Sequence, residues 1–279
     1  MNRVIIFLII RNLYFHRKSD LGSICRSIMS ISFTYCGVAC GVISVDDKFY
    51  IGIDPDLSPK GTLVQFNGFV SKKQTDVNND KKLLDNVNIW LITHGHQDHL
   101  DEVGKGYLKD KTVITPNRKI TKDLSCLKSI VLNWGEEQLF SVDEYQIAIK
   151  AVPAYHASNY IMQKIVGKVN GYQITITSPL QTKRIYFTGD TILYPRVTDF
   201  VPQKIDAIFA NLGAVKSDSF GGPFTMNLKM LKQLETILQP QNIYPIHIDD
   251  YSHYQTTKTE VEASNYTCLL YTSPSPRDS

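Results

Sequence analysis

Cysteine is scarce in this chain: five residues in 279, at positions 25, 36, 40, 126 and 268. An odd number at irregular spacing is not a disulfide framework. Cys36 and Cys40 also lack the companions that a structural zinc site requires. Free or buried thiols in a reducing compartment are therefore expected. Long apolar runs are missing too. The longest, 4–10, has seven residues, whereas a bilayer span needs about 20. No stable membrane insertion is expected, and a cytoplasmic protein is the default. Nor is charge of one sign concentrated. Lys and Arg number 30 against 27 Asp and Glu, a net charge of +3 with a pI of about 8.4. Without a dense basic stripe, nucleic acid is not an expected partner. The doublets Lys72-Lys73 and Lys81-Lys82 read as solvated loop charge.

Apolar residues make up 43% of the chain, enough for a sizeable core. The two ends stand apart from the rest. Residues 1–28 read as an N-terminal extension, basic with a single acid, of a composition seen in organellar targeting segments. The regular pattern opens at Met29. The stretch CLLYTSPSPRD at 268–278 matches the translation of a sequencing-library transposon end and its adapter. Residues 268–279 are accordingly read as adapter read-through. The domain is expected over 29–267 with its native C-terminus truncated, leaving a last helix after His253 incomplete.

Within the domain, strands are expected at 31–35, 41–45 and Phe49–Ile53, with a turn at Asp46-Asp47. Residues 55–80 read as a long polar loop of the kind that covers sites. Further strands are expected at 88–92, Thr112–Thr115, 129–132, 145–152, 172–177, 185–188, 207–210 and 243–246, with a short helix at 103–108. Leu228, Leu231, Leu234 and Leu238 recur at helical spacing, with Thr225 as N-cap and Pro240 as terminator. Two similar halves, each strands followed by helix, imply two stacked sheets with helices outside, an α+β architecture.

The chemistry concentrates at THGHQDHLD, 93–101, where three of seven histidines fall within six positions. His94, His96, Asp98 and His99 follow one expected strand. His156, Asp190 and His247 each follow another. Residues just past strand ends are held by a rigid scaffold and meet at one sheet edge. Imidazole and carboxylate without thiolate suit a divalent ion, zinc first, with manganese or iron served by the same donors. The number of donors exceeds one tetrahedral shell and suits two ions sharing a carboxylate. His253 reads as a surface or pocket-rim residue. Trp134 and Tyr160 are expected in the core more than in a pocket wall.

HxHxDH after a buried strand, a lone His, a GD pair and a late His together resemble the metallo-β-lactamase fold superfamily, over about residues 31–262. Leu100-Asp101 after the motif is similar to the group containing L-ascorbate-6-phosphate lactonase and N-acyl phosphatidylethanolamine phospholipase D. FTMNLKMLKQL and IYPIHIDDYSHY resemble bacterial hydrolases of that lactonase-like group. The resemblance implies a four-layer αββα sandwich. It implies His94, His96 and His156 on one zinc, Asp98, His99 and His247 on a second, and Asp190 between them. It implies a hydrolase that cleaves a small-molecule ester or lactone with a zinc-bridged hydroxide, which Asp98 would orient as the catalytic carboxylate. Asp54, in GIDPD, matches an acidic residue that orients a histidine ligand. A phosphodiesterase of the same fold, a non-hydrolytic metal-binding module and an iron-dependent redox enzyme are the alternatives.

Overall fold

The computed structural model describes residues 5–7, 29–66, 68–216 and 221–266. Most of the extension at 1–28 and all of 268–279 lie outside these residues, and so do the readings made of them. One seven-stranded sheet contains β1 (Ile5–Phe7), β2 (Ile31–Gly37), β3 (Cys40–Val45) and β4 (Phe49–Ile53), which precede the hairpin β5 (Leu63–Phe66) and β6 (Phe69–Lys72). After helix α1 (Lys81–Asp85) the same sheet adds β7 (Ile89–Leu91). Helix α2 (Glu102–Tyr107), β8 (Thr112–Thr115) and β9 (Lys128–Val131) follow, in spatial order β1-β2-β3-β4-β7-β8-β9. The second sheet has six strands in sequence order. They are β10 (Glu137–Val142), β11 (Tyr145–Ala154), β12 (Val169–Thr177), β13 (Thr182–Phe187), β14 (Ala207–Asn211) and β15 (Asn242–Ile246). Helix α3 (Tyr160–Val166) lies between β11 and β12, α4 (Leu228–Leu238) between β14 and β15, and α5 (Lys258–Ala263) after β15.

Alternation along buried strands builds four layers. In β7, Ile89 and Leu91 face the space between the sheets while Trp90 turns to α1 and α2. In β14, Ala207 and Phe209 face inward while Ile208 and Ala210 meet Leu231, Leu234 and Leu238 of α4. Sheets covered on both faces are written as continuous apolar runs, the pattern of these strands. The inner faces interlock through aromatic rings, with Phe33 and Phe209 centroids 4.1 Å apart. The expected αββα sandwich is the observed one.

The structure corrects the sequence reading in four places. Residues 55–80 are not all loop: β5 and β6 form a hairpin joined by two residues, with Phe66 opposite Phe69. Lys73 is not solvated; it is wholly buried, its Nζ 2.6 Å from Asp56 Oδ1. Its amino group is buried together with its partner, and that partner lies 17 residues away, beyond any local pattern. Helix α4 is capped by Asn227, whose side chain accepts from Met230 N. Thr225 instead accepts from Val215 N. Finally, Trp134 and Tyr160 are 38% and 68% exposed, so neither is core.

Strand direction gathers the chemistry. β4, β7 and β8 run parallel in one sheet, and β13, β14 and β15 run parallel in the other. Two antiparallel steps give β11 the direction of β13. The segments leaving β4, β7, β11, β13 and β15 therefore carry Asp54, the 93–101 turn, His156, Asp190 and His247.

Candidate metal centre

All seven sequence-derived candidates converge. His94 Nε2 lies 3.0 Å from His96 Nδ1, and His156 Nε2 lies 3.4 Å from that same nitrogen. Asp190 joins the two ends of the cluster, Oδ2 3.6 Å from His156 Nε2 and Oδ1 3.3 Å from His99 Nε2. At the far end His247 Nε2 is 3.7 Å from Asp190 Oδ1 and 3.6 Å from Asp98 Oδ2. Three sets of donor atoms lie within 4.8 Å of one another: His94, His96 and His156; His94, His99 and Asp190; Asp98, His99 and His247.

Several donors are fixed from behind. The peptide at Asp54 takes a left-handed turn, φ 41°, as it leaves β4, a conformation an aspartate tolerates better than most residues. Its carboxylate accepts from Thr93 N, Thr93 Oγ1 and His99 Nδ1, each at 2.7 Å. That bond aims His99 Nε2 at the cluster, as expected of Asp54. His156 Nδ1 donates to Phe224 O at 2.8 Å, and Asn211 Nδ2 donates to Asp190 Oδ1 at 2.8 Å. Asp101 caps α2 through Gly104 N at 2.6 Å and accepts from Leu57 N at 2.9 Å, tying the 54–58 loop to the histidine turn. His247 is itself left-handed, φ 62°. Backbone strain of this kind collects at functional sites.

The electrostatics match a cation-binding centre. Burial and the neighbouring imidazoles push His94 well below its ordinary value. Burial and His156 bring His96 down to about 4. Both present lone pairs at neutral pH. Burial opposes ionisation of Asp98 and Asp190, but His247 and His99 more than offset it, and both carboxyls sit well below the usual range. Burial lowers His99, yet Asp190 and Asp54 outweigh it and raise this imidazole. Among the described residues, Asp98 Oδ1 and His99 Nε2 are buried atoms with no hydrogen-bond partner. Unsatisfied buried polar atoms of this kind are rare, and a cation between them removes the anomaly. The imidazole and carboxylate donors fit a divalent cation.

Tyr254 was not singled out from the sequence. Its hydroxyl lies 2.6 Å from His247 Nε2 and donates to Asp98 Oδ2 at 2.9 Å, and its ring stacks on His247. The only sequence signal was its place seven residues after a candidate ligand. His253 is at the pocket rim, Nδ1 2.7 Å from Ser71 Oγ, with Phe66 and Phe69 of the hairpin against its ring. Above the cluster opens a cavity of about 190 Å³, with His96, Asp98, His156 and Asp190 on its floor and mostly apolar side chains, with Lys216 and His253, around it. Trp134 and Tyr160 do not line it.

Residues 51–248 match the family described as the β-lactamase superfamily domain. A UPF0173 metal-dependent hydrolase of Pyrococcus furiosus is 28% identical over 224 residues, 78% of this chain and 84% of that protein. A crystal structure of a possible metal-dependent hydrolase from Veillonella parvula superposes with a TM-score of 0.69 at 18% identity, covering 85% of this chain and 94% of that one. An isothiocyanate hydrolase from Delia radicum gut bacteria superposes with a TM-score of 0.68 at 23% identity, covering 84% and 91%.

Proposed function

Since this chain belongs to the β-lactamase superfamily, we propose that it is a metal-dependent hydrolase that uses two zinc ions to cleave a small ester or lactone. The observation that carries the reading is the convergence of seven donors from four separate segments, with three of their side-chain atoms left without a hydrogen-bond partner in a buried site. In this reading His94, His96 and His156 would hold one ion and Asp98, His99 and His247 the other, with Asp190 available to either. When bound, the ions supply a hydroxide at neutral pH and polarise the substrate oxygen.

The protein's own groups do the rest. Tyr254 donates to Asp98 Oδ2 and so fixes the orientation of the carboxylate, which would both hold an ion and accept a hydrogen bond from the nucleophile. Asp54 and Phe224 O fix the tautomers of His99 and His156. The hairpin and α3 narrow the access of water to the site.

A carboxylic ester is favoured over a phosphodiester by the lining. Among the described residues, Lys216 is the one cation there apart from histidine, and no arginine is present. A phosphodiester keeps its charge throughout, and beyond the ions only Lys216 and the histidines would meet it, against a wall that is otherwise apolar. The test is metal analysis of purified protein together with turnover of p-nitrophenyl esters, lactones and bis-p-nitrophenyl phosphate. Ester or lactone cleavage abolished by chelation and restored by zinc is expected. Zinc bound with no turnover of any substrate would leave a metal-binding module, and faster diester cleavage would move the reading to a phosphodiesterase.

A further inference from the structure

Resting on the ester reading, we infer that the substrate carries an apolar chain of medium length, which lies between the β5–β6 hairpin and α3 while its scissile carbonyl sits over the histidine cluster.

The cavity over the cluster is lopsided in character. Its floor is His96, Asp98, His156 and Asp190; its walls are Phe66, Phe69, Met162, Ile165, Val166 and Phe224. Both walls present apolar side chains that the fold leaves uncovered. Helix α3 has no buried residue, and Ile161 and Ile165 are 66% and 53% exposed. On the hairpin Phe69 is 40% exposed. Folding alone does not explain apolar side chains left half in water on both sides of one mouth, because neither wall covers the other. A chain entering between them completes their burial.

The walls are also placed to register the chain on the reacting bond. Phe66 stands edge-on to His96, centroids 6.0 Å apart, and Phe224 edge-on to His156. The apolar wall thus begins directly beside the donor cluster. An acyl chain leaving the carbonyl has one continuous apolar path, with Lys216 and the rim histidine at its edge. The volume, about 190 Å³, accommodates several methylenes and excludes a second bulky group. The reaction consumes one water. A C–O bond forms at the carbonyl carbon, the bond to the alkoxide breaks, and the departing alkoxide takes a proton to leave as alcohol beside the fatty acid.

The test is a chain-length series with a constant leaving group: p-nitrophenyl butyrate, hexanoate and octanoate, whose alkaline hydrolysis rates are nearly equal. With the zinc-loaded enzyme, kcat/KM should rise about fourfold per methylene until the cavity is full, then level. In Ile165→Glu and Phe69→Ser, both at partly exposed positions that folding tolerates, the slope should flatten. Leu127→Ser, an exposed apolar position outside the cavity, should keep it. A flat series in the parent enzyme overturns the inference while leaving ester hydrolysis standing. Should no ester turn over, titration calorimetry with butyrate and octanoate separates the two claims. Tighter octanoate binding with a negative heat-capacity change supports the chain-binding walls and sinks the ester chemistry. Equal binding sinks the walls as well. Concentration-dependent dimerisation lost in Ile165→Glu, together with a flat series, would assign these faces to a second copy of the chain.

Discussion

Asp98 ends at a phenol. Tyr254 donates to its Oδ2 and touches His247 Nε2 in the same gesture, so one hydroxyl aligns two donors from segments about 150 positions apart. Tyr254→Phe keeps the ring stacked on His247 and removes only those two contacts. Zinc affinity, by competition with a chromogenic chelator, should fall about tenfold, and kcat/KM by 10- to 100-fold. Asp98→Asn should cost on the order of 10³-fold in kcat/KM; unchanged turnover in the asparagine variant would remove Asp98 from its proposed role. Asp54 acts one step further out. Asp54→Asn exchanges an acceptor of three bonds for a group with one carbonyl oxygen, so His99 loses its fixed tautomer. A 10- to 100-fold loss of zinc affinity is expected, read by the same competition. The seven donors were legible because each has a residue type with few other uses after a buried strand. Tyr254 was not, because a tyrosine is usual in any core and only its distance to Asp98 distinguishes it.

Elements were legible where burial wrote them. β7, β8 and β14 are short apolar runs with both faces covered, and their bounds fall within a residue or two of the expected ones. The hairpin was missed because β5 and β6 have one face in water. Leu63 and Val70 are 66% and 55% exposed, so the apolar alternation that signals a strand is blurred. A second signal was present all the same: Asn67-Gly68 between LVQF and FVSK is a strong two-residue hairpin sequence. β10 was missed for the same reason, an edge strand of alternating exposure. Helix α2 offers a paired test at this scale. A Cβ added at Gly104 would sit 1.7 Å from Pro55 O, in the loop that carries Asp54. At Gly106, two residues on, it would meet nothing within 4 Å. Gly104→Ala should lower stability by about 3 kcal/mol and weaken zinc binding by displacing that loop. Gly106→Ala should raise stability by about 0.5–1 kcal/mol. Urea denaturation midpoints of the two variants check both signs.

At the scale of the molecule, what the sequence hides is pairing across distance. Lys73 and Asp56 look like ordinary surface charges, yet both are buried, and Tyr251 from the far end of the domain donates to the same carboxylate at 2.9 Å. Burial pushes the Asp56 carboxyl up to about 8, against the pull of Lys73. Such contacts exist only once two sheets are stacked. The same stacking forces five histidines and two ionised carboxylates into one dry space, so folding stability, pH and metal are linked. The pKa values of His96 and His253 are both lowered to about 4, from an ordinary 6.5, and His94 shifts the same way. A depressed histidine favours the neutral form in the folded state. Its stabilisation is present above pH 6.5 and is lost as pH falls through about 4. His99 and the Asp56 carboxyl are raised and act in the opposite sense, two groups against three. Metal-free protein should therefore lose on the order of 2 kcal/mol between pH 6.5 and 4.5. Zinc at a hundredfold excess over its Kd adds about 2.7 kcal/mol at neutral pH, a Tm rise of roughly 5–10 °C for a chain of this length. Because zinc must displace the proton that Asp190 and Asp54 hold on His99, that increment should shrink steadily toward pH 5. Calorimetric scans with and without zinc at pH 7.5, 6.5 and 5 measure it directly. An increment that stays constant across the three would mean that zinc binds somewhere other than the histidine cluster.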